Sequence, residues 1–417
     1  MWTVALTVSG LITAVVGCSS DSATPAPTSS VTTTSTPRVD DGILTIGVLT
    51  PQGSANADIG QAIRSAVQLA VNKINAAGGF GGRGVVLIPA DEGVAGIGVD
   101  PAITTLLDDG VDAIIGPASS INALAGLKEI VDAGVVACSP TASASLLDDF
   151  PDHNLFFRTI PSDSLQAAAI AEAVDRTGAS KATVTYIDDA YGQSFVDLVG
   201  ASLSQKGIKQ DDPVPYSSNN QSIAAAARSI AATSAGVIVV IGDATSGPVV
   251  LGAIDAASGA TRPVYVVNDA MRRPTASAEP MGGSLASRVR GISPIAYSTD
   301  EQFLAQLGAV PGNSSPYAAN VFDCVNLIAL AALAAGSTQP AVIAANIPAV
   351  SDSGTPCMSF VECRTGIEAG SNINYDGPGF GPLTIGSNGE LASAVFELFG
   401  FDETGRDIHL GTVPVRA

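Results

Sequence analysis

The chain has 417 residues, 46% of them hydrophobic and 14% charged, which is enough apolar material for two packed domains and excludes disorder of the whole chain. A formal net charge of -20 and a pI near 4.2 repel phosphate backbones and anionic headgroups, so nucleic acid is excluded as a natural partner. Such an acidic surface also serves solubility.

Residues 2–17 are apolar or small and uncharged, too short for a comfortable membrane span, and read as a targeting segment removed on export. Met1 to Gly10 lacks the Lys or Arg with which export segments usually begin. The end of this stretch, Val15-Val16-Gly17-Cys18-Ser19-Ser20, resembles a bacterial lipobox, which implies cleavage before Cys18 and a lipid on that cysteine. Residues 18–42 are dominated by Ser, Thr, Ala, Pro and Asp and read as a flexible tether, with too little apolar surface to offset the entropy of ordering.

Short apolar runs then alternate with segments of helical period, the pattern of parallel strands joined by crossover helices. The first strand is expected over 43–49. Ile59, Ile63, Ala66, Ala70, Val71 and Ile74 then fall on one helix face, and glycines at 78–82 end that helix. Strands follow at 85–88, 111–115 and 135–138, with helices at 101–107 and 122–133 between them. A second series places helices at 164–176, 191–205, 222–232 and 246–257, and strands at 182–187, near 214, at 237–241 and at 264–267. A strand-like 291–297, a helix over 315–335 and a turn-rich 376–389 complete the pattern. So many strands imply two sheets rather than one.

Beyond Cys18, Cys138, Cys324, Cys357 and Cys363 are an even number without a C-x-x-C pair, as in an oxidising compartment. Cys357 and Cys363 enclose a short loop and are expected to pair. Cys138 and Cys324 lie in apolar segments, where two buried thiols or a second bridge fit equally. His153 and His409 are isolated from each other and from the cysteines, so no metal site and no cofactor are expected.

Several segments together resemble the type I periplasmic binding proteins of the branched-chain amino acid ABC transporter group. They are Thr45-Ile46-Gly47-Val48-Leu49-Thr50-Pro51, Gly110-Val111-Asp112-Ala113-Ile114-Ile115-Gly116-Pro117-Ala118-Ser119-Ser120, Ser139-Pro140-Thr141-Ala142-Ser143, Phe156-Phe157-Arg158-Thr159-Ile160-Pro161-Ser162-Asp163, Asp188-Asp189-Ala190-Tyr191-Gly192 and Tyr317 with Phe322-Asp323. They stand in the family's order across residues 43–401. The resemblance implies an α/β fold of two doubly wound parallel-sheet lobes joined by a three-strand hinge, with ligand held between them. The expected division is 43–159 plus 297–375 for the first lobe, and 160–296 plus 376–417 for the second lobe and hinge return. It further implies a monomer, exported and lipid-anchored outside the cell membrane, that passes an amino acid or similar polar ligand to an ABC permease and ATPase.

Candidate ligand residues lie where expected helices begin at strand ends, since unpaired N–H groups there favour an anion. Ser119 and Ser120 can cap a helix or meet a ligand, and Thr141, Ala142 and Ser143 follow the next strand. The resemblance assigns that turn backbone N–H donors and a hydroxyl. Tyr191 offers a ring and hydroxyl from the second lobe, and Asp269 a carboxylate for an ammonium, although Asn268-Asp269 is also good turn chemistry. Ser54, Ala55 and Asp243 are further candidates. The sequence has Ser143 where the family more often has threonine, and Ala244-Thr245 where amino acid binders often place an aromatic. Catalysis is the competing class. The patterns G-x-S-x-G and H-E-x-x-H are absent and two distant histidines leave no triad, while a ligand-sensing receptor of the same fold is the alternative to import.

Overall fold

The computed structural model describes residues 40–53, 57–94, 97–243, 245–272, 281–294, 301–307, 317–379 and 383–416. The leader, Cys18, and the candidates Ser54 and Ala55 lie outside them.

The chain opens with β1 (Thr45–Thr50), α1 (Ala57–Ala76), β2 (Val86–Asp91), α2 (Val99–Asp108), β3 (Ala113–Ile115), α3 (Ser120–Asp132), β4 (Val136–Ser139) and β5 (Phe156–Arg158). The five strands form one parallel sheet in the order β2-β1-β3-β4-β5. Helices cover both faces, so β3 and β4 are buried at every residue and read as unbroken small or apolar runs. α1 buries Ile63, Ala66, Ala70, Val71 and Ile74 of the expected stripe, with Val67 beside them, while Ile59 is half-buried. It ends at Gly79, whose φ of +64° and close approach to the Arg83 carbonyl, 1.9 Å from where a Cβ would stand, admit only glycine.

Next come α4 (Asp163–Asp175), β6 (Lys181–Ile187), α5 (Ala190–Gln205), β7 (Lys209–Gln210), β8 (Val214–Tyr216), α6 (Asn220–Thr233), β9 (Val237–Ile241), α7 (Gly247–Ser258), β10 (Val264–Val267), α8 (Gly283–Ala286) and β11 (Val289–Ser293). Asp189 and Asn219 cap α5 and α6, accepting from the N–H groups of Gly192 and Ser222 at 2.8 and 2.9 Å. The chain continues through α9 (Glu301–Gln306), α10 (Ala318–Ala335), α11 (Pro340–Val350), β12 (Thr355–Cys357), α12 (Phe360–Glu368) and β13 (Ile373–Tyr375) to the strands β14 (Ser393–Phe401) and β15 (Asp407–Arg416). The second sheet runs β15-β14-β11-β10-β9-β6-β7, with β8 also on β6. It is parallel from β6 to β11; β14 and β15 add an antiparallel edge.

α10 is largely apolar and mostly buried within the fold, as befits the core helix of the first lobe, and its few polar side chains, Asn320, Asp323 and Asn326, are buried with it. It is bolted to the first sheet by a disulfide from Cys324 to Cys138 on β4, across 186 residues of sequence. Cys357 and Cys363 form the second bridge, from β12 to α12.

Between the lobes the chain passes first through Thr159–Ser162. Thr159 Oγ1 donates to the Asn320 carbonyl at 2.8 Å and Asn320 Nδ2 donates to the Thr159 carbonyl at 2.6 Å, which fixes this crossing to the start of α10. The second crossing lies between β11 and α10, and the third precedes β14. Asp376 and Gly389 are paired with the first lobe: the Asp376 N–H donates to the Cys357 carbonyl and the Gly389 carbonyl accepts from the Arg158 N–H, both at 3.0 Å. The expected boundary after residue 375 falls before these contacts, which pair Asp376 with β12 and Gly389 with β5.

Candidate functional site

In each sheet the strand order reverses next to the first strand of its series, between β1 and β3 in the first and between β6 and β9 in the second. Ligands of open α/β sheets bind outside the carboxyl ends of strands at such a reversal, where flanking loops splay apart. The loops there carry Gly116 to Ser120 after β3, Asp188 to Tyr191 after β6, and Gly242 with Asp243 after β9.

On the first lobe, the turns after β3 and β4 are knitted together. Ser139 Oγ donates to the Pro117 carbonyl at 2.7 Å and accepts from the Ala142 N–H at 3.0 Å, while Thr141 Oγ1 donates to the Ala118 carbonyl at 2.6 Å. Ser120 Oγ accepts from the Ala144 N–H at 3.2 Å, which leaves its own proton to donate. Ser119 occupies the N-cap position of α3 without a side-chain cap bond, and both serines are half-buried. Ala142 is fully buried; its N–H, one of the donors expected to meet a ligand, is held by Ser139. Glu92, 2% exposed, accepts from the Ala118 N–H at 2.7 Å, so the chain's own carboxylate takes part of the donor set before α3. Burial raises that carboxyl against the pull of the Ala118 and Ser119 N–H groups. Sequence reasoning missed Glu92, which lies just past β2.

The opposite wall is acidic and aromatic. Asp269 begins the short turn after β10, where Oδ1 accepts from Gln166 Nε2 of α4 at 2.8 Å. Burial raises its carboxyl. Asp163, at the first turn of α4, has its N–H bonded to the Ser143 carbonyl at 2.7 Å across the lobe boundary. Burial pushes the Asp163 carboxyl up to about 7; the Ser143 hydroxyl opposes this and the charge of Asp269 adds to it. Tyr191 stacks on Phe195 at 5.6 Å, and its hydroxyl accepts from Asn268 Nδ2 at 3.0 Å. Tyr191 is 37% exposed as a whole, and its hydroxyl holds its proton well above the usual range, first through desolvation and then through Asp269 and Asp163. Tyr317, at the N-cap of α10 with φ of +63°, is raised likewise by burial and by Asp269. A tyrosine in the left-handed region is a strained placement of the sort that gathers at binding sites.

Asp163, Gln166, Asp269, Tyr191 and Tyr317 thus converge where the lobes meet. Of these, only Tyr191 and Asp269 were candidates in the sequence. Asp163 and Tyr317 stand in motifs already noted, and Gln166 gave no signal. Asp243 is turned inward: Oδ1 accepts from the N–H groups of Thr245 and Ser246 at 2.7 and 2.5 Å. Burial alone would raise this carboxyl, but the N–H donors of Ser246, Thr245 and Gly247 outweigh it and hold it low. Among the described residues, no group of three His, Cys, Asp or Glu side chains could hold a metal ion.

A family model described as periplasmic binding protein matches residues 43–390. Over 170 residues the chain is 32% identical to a Leu/Ile/Val-binding protein of Rhizobium johnstonii, covering 40% of this chain and 46% of that one. Over 169 residues it is 31% identical to a Leu/Ile/Val-binding protein homolog of Brucella melitensis, covering 40% and 45%. The chain spans less than half the length of these curated relatives. Among solved structures, an ABC transporter substrate-binding protein of Desulfitobacterium hafniense in complex with leucine superimposes with a TM-score of 0.67 at 21% identity, covering 88% of this chain and 99% of that one. A branched-chain amino acid transporter substrate binding protein of Streptococcus pneumoniae in complex with isoleucine gives 0.63 at 17%, covering 90% and 100%. These neighbours share the two-lobed fold. With the family model running from β1 to the third crossing, the chain belongs to the periplasmic binding proteins, a family that binds solutes outside the cytoplasm.

Proposed function

We propose that this protein captures an amino acid between its lobes and delivers it to an ABC importer, held at the outer face of the membrane by a lipid on Cys18. The observation that carries the reading is the pairing of a hydroxyl-lined turn on one lobe with the Asp163 and Asp269 carboxyls and two tyrosines opposite. An α-carboxylate would be met by Ser120 and Ser119 of α3 and by the Thr141–Ser143 turn. The α-ammonium would lie by Asp163 and Asp269, whose desolvated carboxyls regain a charge partner when it arrives. Tyr191 would supply the ring against which the rest of the ligand packs. The leucine- and isoleucine-bound neighbours and the Leu/Ile/Val-binding relatives favour a branched aliphatic side chain. Ligand bridging both lobes stabilises the closed form, the form presented to the permease.

A thermal-shift series with leucine, isoleucine, valine, glutamate and benzoate tests this. A ligand at a hundred times its Kd adds about 2.7 kcal/mol of stability. Leucine is expected to stabilise and benzoate, lacking an ammonium, is not; equal stabilisation by both would remove the acidic pair from the site. A sensing role is the second reading, favoured by 29% identity over 205 residues to Glutamate receptor 3.1 of Oryza sativa, covering 48% of this chain and 21% of that one. Neighbouring permease and ATPase genes would decide for import.

A further inference from the structure

Arg158 closes β5 and is fully buried. Its guanidinium is bonded on every side. Nε donates to Glu390 Oε1 and Oε2 at 2.8 and 3.0 Å, and Nη2 reaches Asp148 Oδ1 at 2.5 Å and Glu390 Oε2 at 2.6 Å. Nη1 donates to the carbonyls of Ala142 and Ala144 at 3.3 and 3.1 Å. The partners come from separate places: the turn after β4, the segment behind it, and the stretch of the first lobe just before the third crossing. Asp148 reaches further, accepting from Ser164 Oγ in the first turn of α4 at 2.7 Å.

The two carbonyl contacts matter most. Both peptides are trans, so each carbonyl points opposite to the N–H of its own peptide plane. With the Ala142 and Ala144 carbonyls drawn to Arg158, the N–H groups of Ser143 and Ser145 are turned away from it. The planes of the candidate ligand turn are therefore set by a side chain that stands behind them. Glu390 in turn holds the guanidinium, and the backbone that carries it is seated on β5 so closely that a Cβ at Gly389 would lie 1.9 Å from the Phe156 carbonyl oxygen. A buried ion pair is a poor source of net stability but a good means of fixing geometry.

We propose that Arg158 is a positioning residue of the ligand site, through which Glu390, on the first lobe just before the third crossing, holds the Thr141–Ser143 turn in its ligand-binding shape. The role of that turn rests on the proposed function above; the coupling from Glu390 to the turn does not.

The test uses Glu390→Gln, which keeps the shape and removes the charge, and Arg158→Lys, which keeps a charge but cannot hold two carbonyls and two carboxylates. Hydrogen exchange of the unliganded protein reads the turn directly. In Glu390→Gln, amides of residues 141–148 are expected to exchange at least threefold faster than wild type, with those of α6 and α7 unchanged. Calorimetry with L-leucine well below the melting temperature is expected to give a Kd at least fivefold weaker in Glu390→Gln and weaker still in Arg158→Lys. A role confined to stability lowers the melting temperature and leaves both readouts at wild-type values, and that result overturns the proposal. Should Arg158→Lys fail to fold, the two readouts on Glu390→Gln decide alone. If wild type ignores leucine, the ligand reading fails, and unchanged exchange in Glu390→Gln still overturns the coupling.

Discussion

Asp323 on α10 is buried beside Tyr375, whose hydroxyl donates to Oδ1 at 2.8 Å and accepts from Asn326 Nδ2 at 3.0 Å. Burial pushes this carboxyl up to about 8; the Tyr375 hydroxyl lowers it and the nearby Asp376 charge raises it. The unfolded chain has an ordinary carboxyl near 4, so between about pH 4 and 8 the folded state holds a proton that the unfolded state has released. Its stabilising effect is complete below pH 4 and is lost as pH rises to 8. Each pH unit in that window changes stability by about 1.4 kcal/mol for one proton. Asp323→Asn keeps the acceptor for Tyr375 and cannot ionise, so its stability relative to wild type is expected to rise by about 4 kcal/mol from pH 5 to pH 8. Urea unfolding of both proteins at pH 5, 6, 7 and 8 measures this difference, in which the other titrating groups cancel. Parallel stability curves across that range would show that Asp323 is ionised in the folded protein and refute the reasoning.

At the site, an ammonium ligand requires Asp163 charged, whereas burial holds its carboxyl up to about 7 with Ser143, Asp269, Arg158 and Asp148 around it. Affinity for leucine is therefore expected to fall about tenfold per unit as pH drops from 7 to 5, and Asp163→Asn to flatten that slope in calorimetric titrations; an unchanged slope counts against Asp163. Asp243→Ala removes acceptors for the start of α7 and is expected to cost about 1 kcal/mol in a urea melt while leucine affinity stays within twofold. Replacing Cys138 and Cys324 by serine opens a loop of 186 residues and is expected to cost about 5 kcal/mol in chain entropy, against about 2 for the pair Cys357 and Cys363, six apart. Equal losses in the two serine pairs would contradict the loop-length argument.

The parallel core was legible because its strands are short and buried on both faces, so runs such as Val237–Ile241 contrast sharply with the helical stripes around them. The final hairpin was not: β15 alternates irregularly between buried and exposed residues, as an edge strand does. α11 was hidden by its prolines, Pro340 at its start and Pro348 inside it, which read locally as loop. The pairing of Cys138 with Cys324 depends on α10 lying against β4, a contact that periodicity does not reveal. Of the site, strand-end residues such as Ser120 and Asp269 followed from topology. Glu92, Gln166 and Arg158 did not, because each acts through a partner distant in sequence: Ala118, Asp269 and Glu390.

The central claim is that one ligand bridges the two lobes. Small-angle scattering with and without saturating L-leucine tests it most directly, on wild type and on Asp269→Asn. Wild type is expected to contract, with a smaller radius of gyration in the presence of leucine, while Asp269→Asn, titrated at the same concentrations, remains at the unliganded value. Leucine bound at full occupancy with no change in the dimensions of wild type would contradict the account.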